Sequence, residues 1–426
     1  MAREYKKSVL LPVLSVIMFF MFVITIFLSV LCAKKPEKET TLALPVMKIS
    51  LLNTTLAEVN ENGKKVKYGG NKVEIFDNGI TNFYDDVEIK GRGNHSWNLM
   101  DKKSYRIKFD EKVNLFGMGK KRKWALIGNE VDKSLMRNDL AYFMSDIMGG
   151  KYKAEGQFVE LYVDEEYLGV YYLTKTMEID PQVVDLREAE GVLVEVDNAY
   201  CVNEEDFWEA KNGDCLVAKD VVTEDLQDEV MEEFLEDYNG FLKAISKRDF
   251  EKASELVDME SFAKYFLISE FAANPDAYFT SWYLYKDGLD DKIHGGIFWD
   301  FDGAFGNRDW GEWEEGFYDP TAIMARFKYE KTENLSQVMC DMLEMPEFRK
   351  MVSEMYVREF KDKKELILSH LDETTELIRE AAARDAEKWG GDFETEVSYL
   401  REWILTRFEV FEKNFGSSLF TAGAAF

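Results

Sequence analysis

Histidine and cysteine are scarce in this chain, with three His and four Cys in 426 residues. His95, His294 and His370 make no pair at ligand spacing with one another or with a cysteine, which argues against a zinc site. So few cysteines also exclude a disulfide scaffold, although Cys201 and Cys215 share an acidic stretch where a disulfide and two free thiols are both open. Basic residues are short as well: 53 Lys and Arg stand against 81 Asp and Glu, a net charge of −28. A chain so acidic repels phosphates in bulk, so non-specific nucleic-acid binding is not expected. A local cationic site remains compatible, but the densest basic run, Lys120 to Lys123, reads as a solvated turn. The nucleophile elbow of serine hydrolases is missing. Repeats and low-complexity segments are missing too.

What the chain has in quantity is apolar residues, 46% of the total, enough to bury a large core in one two-lobed unit or two domains. Val9 to Ala33 is uncharged and long enough to span a bilayer, with Arg3, Lys6 and Lys7 before it. It lacks a clear small-residue cleavage site, and Leu31 before Cys32 is too large for a lipoprotein signal. Lys34, Lys35 and Lys38 balance the basic residues on the other side, so charge alone leaves the orientation open. A short basic tail before a first span usually stays inside. A signal anchor is therefore expected, with the rest of the chain outside the cytoplasm.

The chemistry concentrates in Gly296-Ile-Phe-Trp-Asp-Phe-Asp-Gly-Ala-Phe-Gly306, where Asp300 and Asp302 follow an apolar strand and precede a glycine turn. Acids there are costly to bury and suited to holding a metal. Upstream, Ser261 to Ala273 is apolar on most faces and predicts a buried helix, which Pro275 stops, leaving Asp276 on the next loop. Trp282 to Lys286 and Ile293 to Trp299 read as the strands of a hairpin turning at 287–292. Folding there brings Asp300 back to Thr280 and Ser281, close to Asp276.

Buried helix, loop acid, hairpin, paired acids and glycine is also the order of catalytic and metal-binding elements in protein kinases. With Lys90-Gly-Arg-Gly-Asn-His-Ser-Trp97, Lys102-Lys-Ser-Tyr-Arg-Ile-Lys-Phe109, Lys123-Trp-Ala-Leu-Ile-Gly128, Met136-Arg-Asn138, Tyr167-Leu-Gly-Val-Tyr-Tyr172, Asn274-Pro-Asp276 and Trp299-Asp-Phe-Asp302, the chain resembles the spore coat protein H (CotH) kinase-like family. The resemblance implies an α+β, divergent two-lobed protein-kinase-like fold, which the span at Val9 to Ala33 would precede as one transmembrane helix. Its parts would be a tail and anchor at 1–33, a linker at 34–44, a sheet-rich N-lobe at 45–219 and a helical C-lobe at 220–426. It implies ATP with Mg2+ or Mn2+ between the lobes and a protein substrate or surface partner. Asp276 would be the catalytic-loop aspartate that accepts the hydroxyl proton, and Asp300 and Asp302 the metal ligands. Where the family usually shows Asn, this chain has Thr280-Ser281, which puts Ser281 at the second metal position. No Gly-x-Gly-x-x-Gly lid is present, so the likeness to kinases is remote there.

Short, partly alternating strands fill the first region, interrupted by a helix within Lys133 to Met148 whose Met136, Leu140, Phe143 and Ile147 should pack on the sheet. Helical patterns dominate from Glu224. Tyr105, Ile107 and Phe109 share one strand face, so Ser104, Arg106 and Lys108 share the other. Arg106 is thus the first candidate to bind phosphates. Lys103 is a second, through its place in the family motif, and Arg92 a third, in Gly91-Arg-Gly93. A glycosidase using the same carboxylates and a binding protein without transfer activity are the alternatives.

Overall fold

Alternating side chains and tight turns build a closed barrel from β1 (Val46–Ser50), β2 (Tyr68–Asp77), β3 (Ile80–Arg92), β4 (Ser104–Asn114), β5 (Lys120–Ile127), β6 (Gly156–Val163) and β7 (Glu166–Lys175). The structure, a computed structural model, describes residues 44–152, 154–307, 318–326 and 337–416. The expected tail and membrane span at 1–33, and all of the linker except Leu44, lie outside these residues. Among the described residues no helix is long and apolar enough to cross a membrane.

The barrel order is β1-β2-β3-β4-β5-β7-β6; all neighbours are antiparallel except β1 and β6, whose parallel pairing closes it. Closure leaves no open sheet edge. Tyr105, Ile107 and Phe109 point inward as their period of two predicts, and with Ile49, Val73 and Trp124 they form a core of the barrel's own. A second core takes the outer faces of β5 to β7, through Ala125, Phe158 and Tyr172, against helices. One close approach explains a glycine. A Cβ on Gly91 would stand 2.4 Å from the ring of Trp97. Gly91→Ala should therefore cost about 1–3 kcal/mol by overpacking, measured by chemical denaturation. An unchanged midpoint would mean that Trp97 moves aside freely.

A second sheet contains β8 (Gly191–Val196), β9 (Trp208–Glu209), β10 (Cys215–Val221), β11 (Val257–Asp258), β12 (Trp282–Asp287) and β13 (Ile293–Gly295), in the order β11-β13-β12-β8-β10-β9. The β12–β13 hairpin forms where expected, but its second strand is short. Gly296, at φ 77°, turns the chain off the sheet beside Tyr265. Because β8 pairs with β12, this sheet runs across the boundary expected at 219 and 220.

The helices are α1 (Leu56–Asn62), α2 (His95–Leu99), α3 (Arg137–Ile147), α4 (Gln227–Ser246), α5 (Phe250–Leu256), α6 (Met259–Ala272), α7 (Gln337–Leu343), α8 (Pro346–Met355), α9 (Lys364–Trp389) and α10 (Phe393–Asn414). Asp258 caps α6 by accepting from Ser261 N at 2.7 Å. From α10, the buried Arg407 donates to Phe271 O at 3.1 Å and pairs with buried Glu270, locking α6 from behind. Met136, just before α3, and Leu140 on it are buried in the larger core, but the ring that meets the sheet is Tyr142, beside Tyr172 of β7, and the Phe143 ring stacks on His370 of α9, centroids 3.8 Å apart.

Candidate functional site

A cavity of about 730 Å³ opens between the ends of β3 and β4 on one side and β8, β12 and the acid loops on the other. Asp276, Ser281, Asp300, Asp302 and Arg92 all line it. Four polar side chains set the acid geometry. Asn274, after the left-handed end of α6 at Ala273, accepts from Asp276 N at 3.1 Å and donates to Asp300 O at 3.2 Å, so one amide ties the two acid loops together. Asn138 on α3 accepts from Phe301 N at 2.7 Å, and Arg137 Nε donates to Ala304 O at 3.0 Å. Ser281 Oγ meets Asp300 Oδ2 at 3.3 Å. Tyr278, Ser281 and Asp300 all have positive φ, at 66°, 51° and 65°, a conformation costing on the order of 1 kcal/mol per non-glycine residue. The hydrogen bonds around them hold that strain in place.

The acids disturb one another. Burial, then Asp300 and Asp197, push Asp276 up to about 8. Burial holds Asp302 well above the carboxylate range, helped by Asp300 and Asp276, and its Oδ1 has no hydrogen-bond partner among the described residues. Such a cluster lacks positive charge. Among the described residues no group of three His, Cys, Asp or Glu side chains is arranged to hold an ion by itself. Magnesium, however, commonly takes one or two carboxylates and completes its shell with water and substrate phosphate. Asp300 and the orphaned oxygen of Asp302 fit that smaller donor set.

Of the three cations expected, Arg92 reaches the cavity, its guanidinium 5.3 Å from the centre of the Trp299 ring. Lys103 and Arg106 do not line it. Lys103 Nζ donates to Trp97 O at 2.7 Å, and Arg106 pairs with Glu88 at 2.8 Å on the outside of the barrel. On the outward face of β4 it is Ser104, at the strand's start, that meets the cavity; Arg106 lies two residues beyond it. Lys102 turns its ammonium to Asp385 at 2.5 Å and Val170 O at 2.8 Å, away from the acids.

Lys219, Glu195 and Asp197 also line the cavity, and the sequence reading did not single them out. Lys219 pairs with Glu195 at 2.8 Å. Asp197 accepts from Thr280 Oγ1 at 2.7 Å. A lone acid inside the apolar run of β8 was a usable signal for Glu195. Lys219 gave none, because it sits at an irregularity between Ala218 and Asp220 in the β8–β10 pairing, where alternation fails.

Beside Asp197, Cys201 and Cys215 form a disulfide, and Asn198 accepts from Cys215 N at 2.7 Å, fastening the rim of the cavity to β10. C201S/C215S should lower stability by about 2–4 kcal/mol, read as an earlier denaturation midpoint under oxidising conditions. An unchanged midpoint would contradict a structural role.

No curated protein sequence matches the chain. A family model described as CotH kinase protein matches residues 89–411, which span every element that lines the cavity except Lys64 before β2. On this match over most of its length, the chain belongs to the CotH kinase protein family.

Proposed function

We propose that the protein transfers the γ-phosphoryl group of ATP to a Ser or Thr hydroxyl of a protein, in a divergent two-lobed kinase arrangement with the barrel above the cleft and the acid loops below. The observation that carries this reading is the meeting of Asp276, Asp300 and Asp302 in one cavity with Arg92 and Lys219 on its walls. Phosphoryl transfer asks a protein mainly to position groups and balance charge. Asp276 accepts the proton of the acceptor hydroxyl. Asp300 and Asp302 would hold a Mg2+ or Mn2+ ion, which when bound neutralises phosphate charge. Arg92 binds phosphate oxygens from the barrel wall, and Lys219, held by Glu195, binds them from the side of the second sheet.

Ser281 favours a second reading. A hydroxyl bonded to Asp300 is a weaker metal ligand than the amide usual in the family, which suits a pseudokinase or surface protein that binds without transfer. Attachment through residues 9–33 belongs to both readings, and the Cys201–Cys215 disulfide supports an oxidising compartment for the folded part. Calorimetric titration tests the cavity's assignment. ATP should bind only with Mg2+ or Mn2+, and AMP should not reproduce the heat. ATP binding that ignores the metal, or no binding, would sink the nucleotide assignment.

A further inference from the structure

Outside the cavity, β3 and β4 carry an unusual charge arrangement for so acidic a chain. Lys90 and Arg106 are direct cross-strand partners, and both side chains lie on the outer face of the barrel. Like charges placed opposite one another destabilise a sheet. Lys67, just before β2, lies beside them, since Tyr68 pairs with Ile89. Burial, then repulsion from Arg106, Lys67 and Lys64, holds the Lys90 ammonium below its ordinary range. Glu88, the nearby acid, is already taken by Arg106 at 2.8 Å. The Nε of Arg106 is buried without a partner among the described residues. The stripe then runs into the cavity, because Arg92 follows Lys90 on the same face of β3 and Arg92 and Lys64 both line the opening.

We infer that this stripe, Lys67, Lys90 and Arg106 leading to Lys64 and Arg92, docks an acidic segment of the protein substrate beside the acceptor hydroxyl. The inference rests on the phosphotransfer reading and names the substrate class of that site. Charge complementarity selects the occupant: the chain as a whole carries a net charge of −28 and would repel an acidic peptide, whereas this stripe meets it with clustered positive charge. A nucleotide is not the occupant, because Lys67, Lys90 and Arg106 lie outside the cavity lining on the outer barrel face. An extended peptide advances roughly 3.3 Å per residue. Lys90 stands two strand positions from Arg92, so acids about two to five residues from the acceptor would meet the stripe.

The test is fluorescence polarisation with the full chain and labelled serine peptides that carry Asp and Glu, Asn and Gln, or Lys on either side of the serine. The acidic peptide should bind at least about tenfold more tightly than the neutral one, with affinity falling as salt rises. K67E/K90E should remove that preference and leave metal-dependent ATP binding unchanged; the milder K67Q/K90Q keeps the test readable if the first fails to fold. Equal binding of acidic and neutral peptides, full affinity in the variants, or tighter binding of a single-stranded oligonucleotide of equal charge would overturn the inference. Acidic-peptide binding without any phosphotransfer would uphold this surface and sink the kinase reading. Transfer to peptides with no charge preference would do the reverse.

Discussion

Asp300→Asn should cut phosphotransfer by about a hundredfold or more while leaving the fold in place. The amide matches the carboxylate in volume and can still meet Ser281 Oγ, so the local bonds to Asn274 and Asn138, which use the backbone of 300 and 301, are untouched. What disappears is the negative charge that would hold a divalent ion against ATP. Removing that charge also relieves its neighbours, since Asp300 is the leading charge acting on both Asp276 and Asp302. Calorimetry of the variant should show metal-dependent ATP affinity sharply reduced, and thermal unfolding should occur at the parent's temperature or above it. Unchanged metal-dependent affinity would remove Asp300 from the metal site.

Asp276→Asn should behave differently. Turnover should fall by about 10²–10⁴-fold, the range for a lost general base, with ATP affinity nearly constant, because the carboxylate serves the acceptor hydroxyl and is not needed to hold the nucleotide. The pH behaviour supplies a second signature. In the metal-free protein Asp276 keeps its proton up to about 8, whereas an unfolded chain releases it near the ordinary 3.8. Between those values the folded state holds more protons than the unfolded one, so this group's contribution to stability is lost as pH rises from about 4 to 8. Asp276→Asn should therefore raise the melting temperature more at pH 8 than at pH 5. An equal effect at both values would mean that the carboxyl is not held protonated.

The acid half of the site was legible because its determinants are local. Pro275 follows the end of α6, a five-residue turn folds β12 onto β13, and the returning chain brings Asp300 to Ser281 although the second strand stops at Gly295. The cation half was not. Alternation placed Arg106 on the correct face of β4, but period says nothing about where along a strand the cleft opens, and only Ser104 reaches it. Lys219 depends on an irregularity in strand pairing. The parallel pairing of β1 with β6, which closes the barrel, and the antiparallel pairing of β8 with β12, which carries the second sheet past residue 219, join segments far apart in the chain that no local pattern links. Gly91 and Gly93 suggested a backbone approach to phosphates, yet Gly91 is required by the packing of Trp97.

The most direct measurement incubates the full chain with γ-labelled ATP and Mg2+ or Mn2+, beside Asp276→Asn and Asp300→Asn prepared in parallel, and maps any label by mass spectrometry. Label on Ser or Thr of the parent or an added acidic protein, lost in both variants, is the predicted result. ATP bound by the parent with no transfer to any acceptor in either metal would contradict the phosphotransferase reading and leave a binding protein in its place.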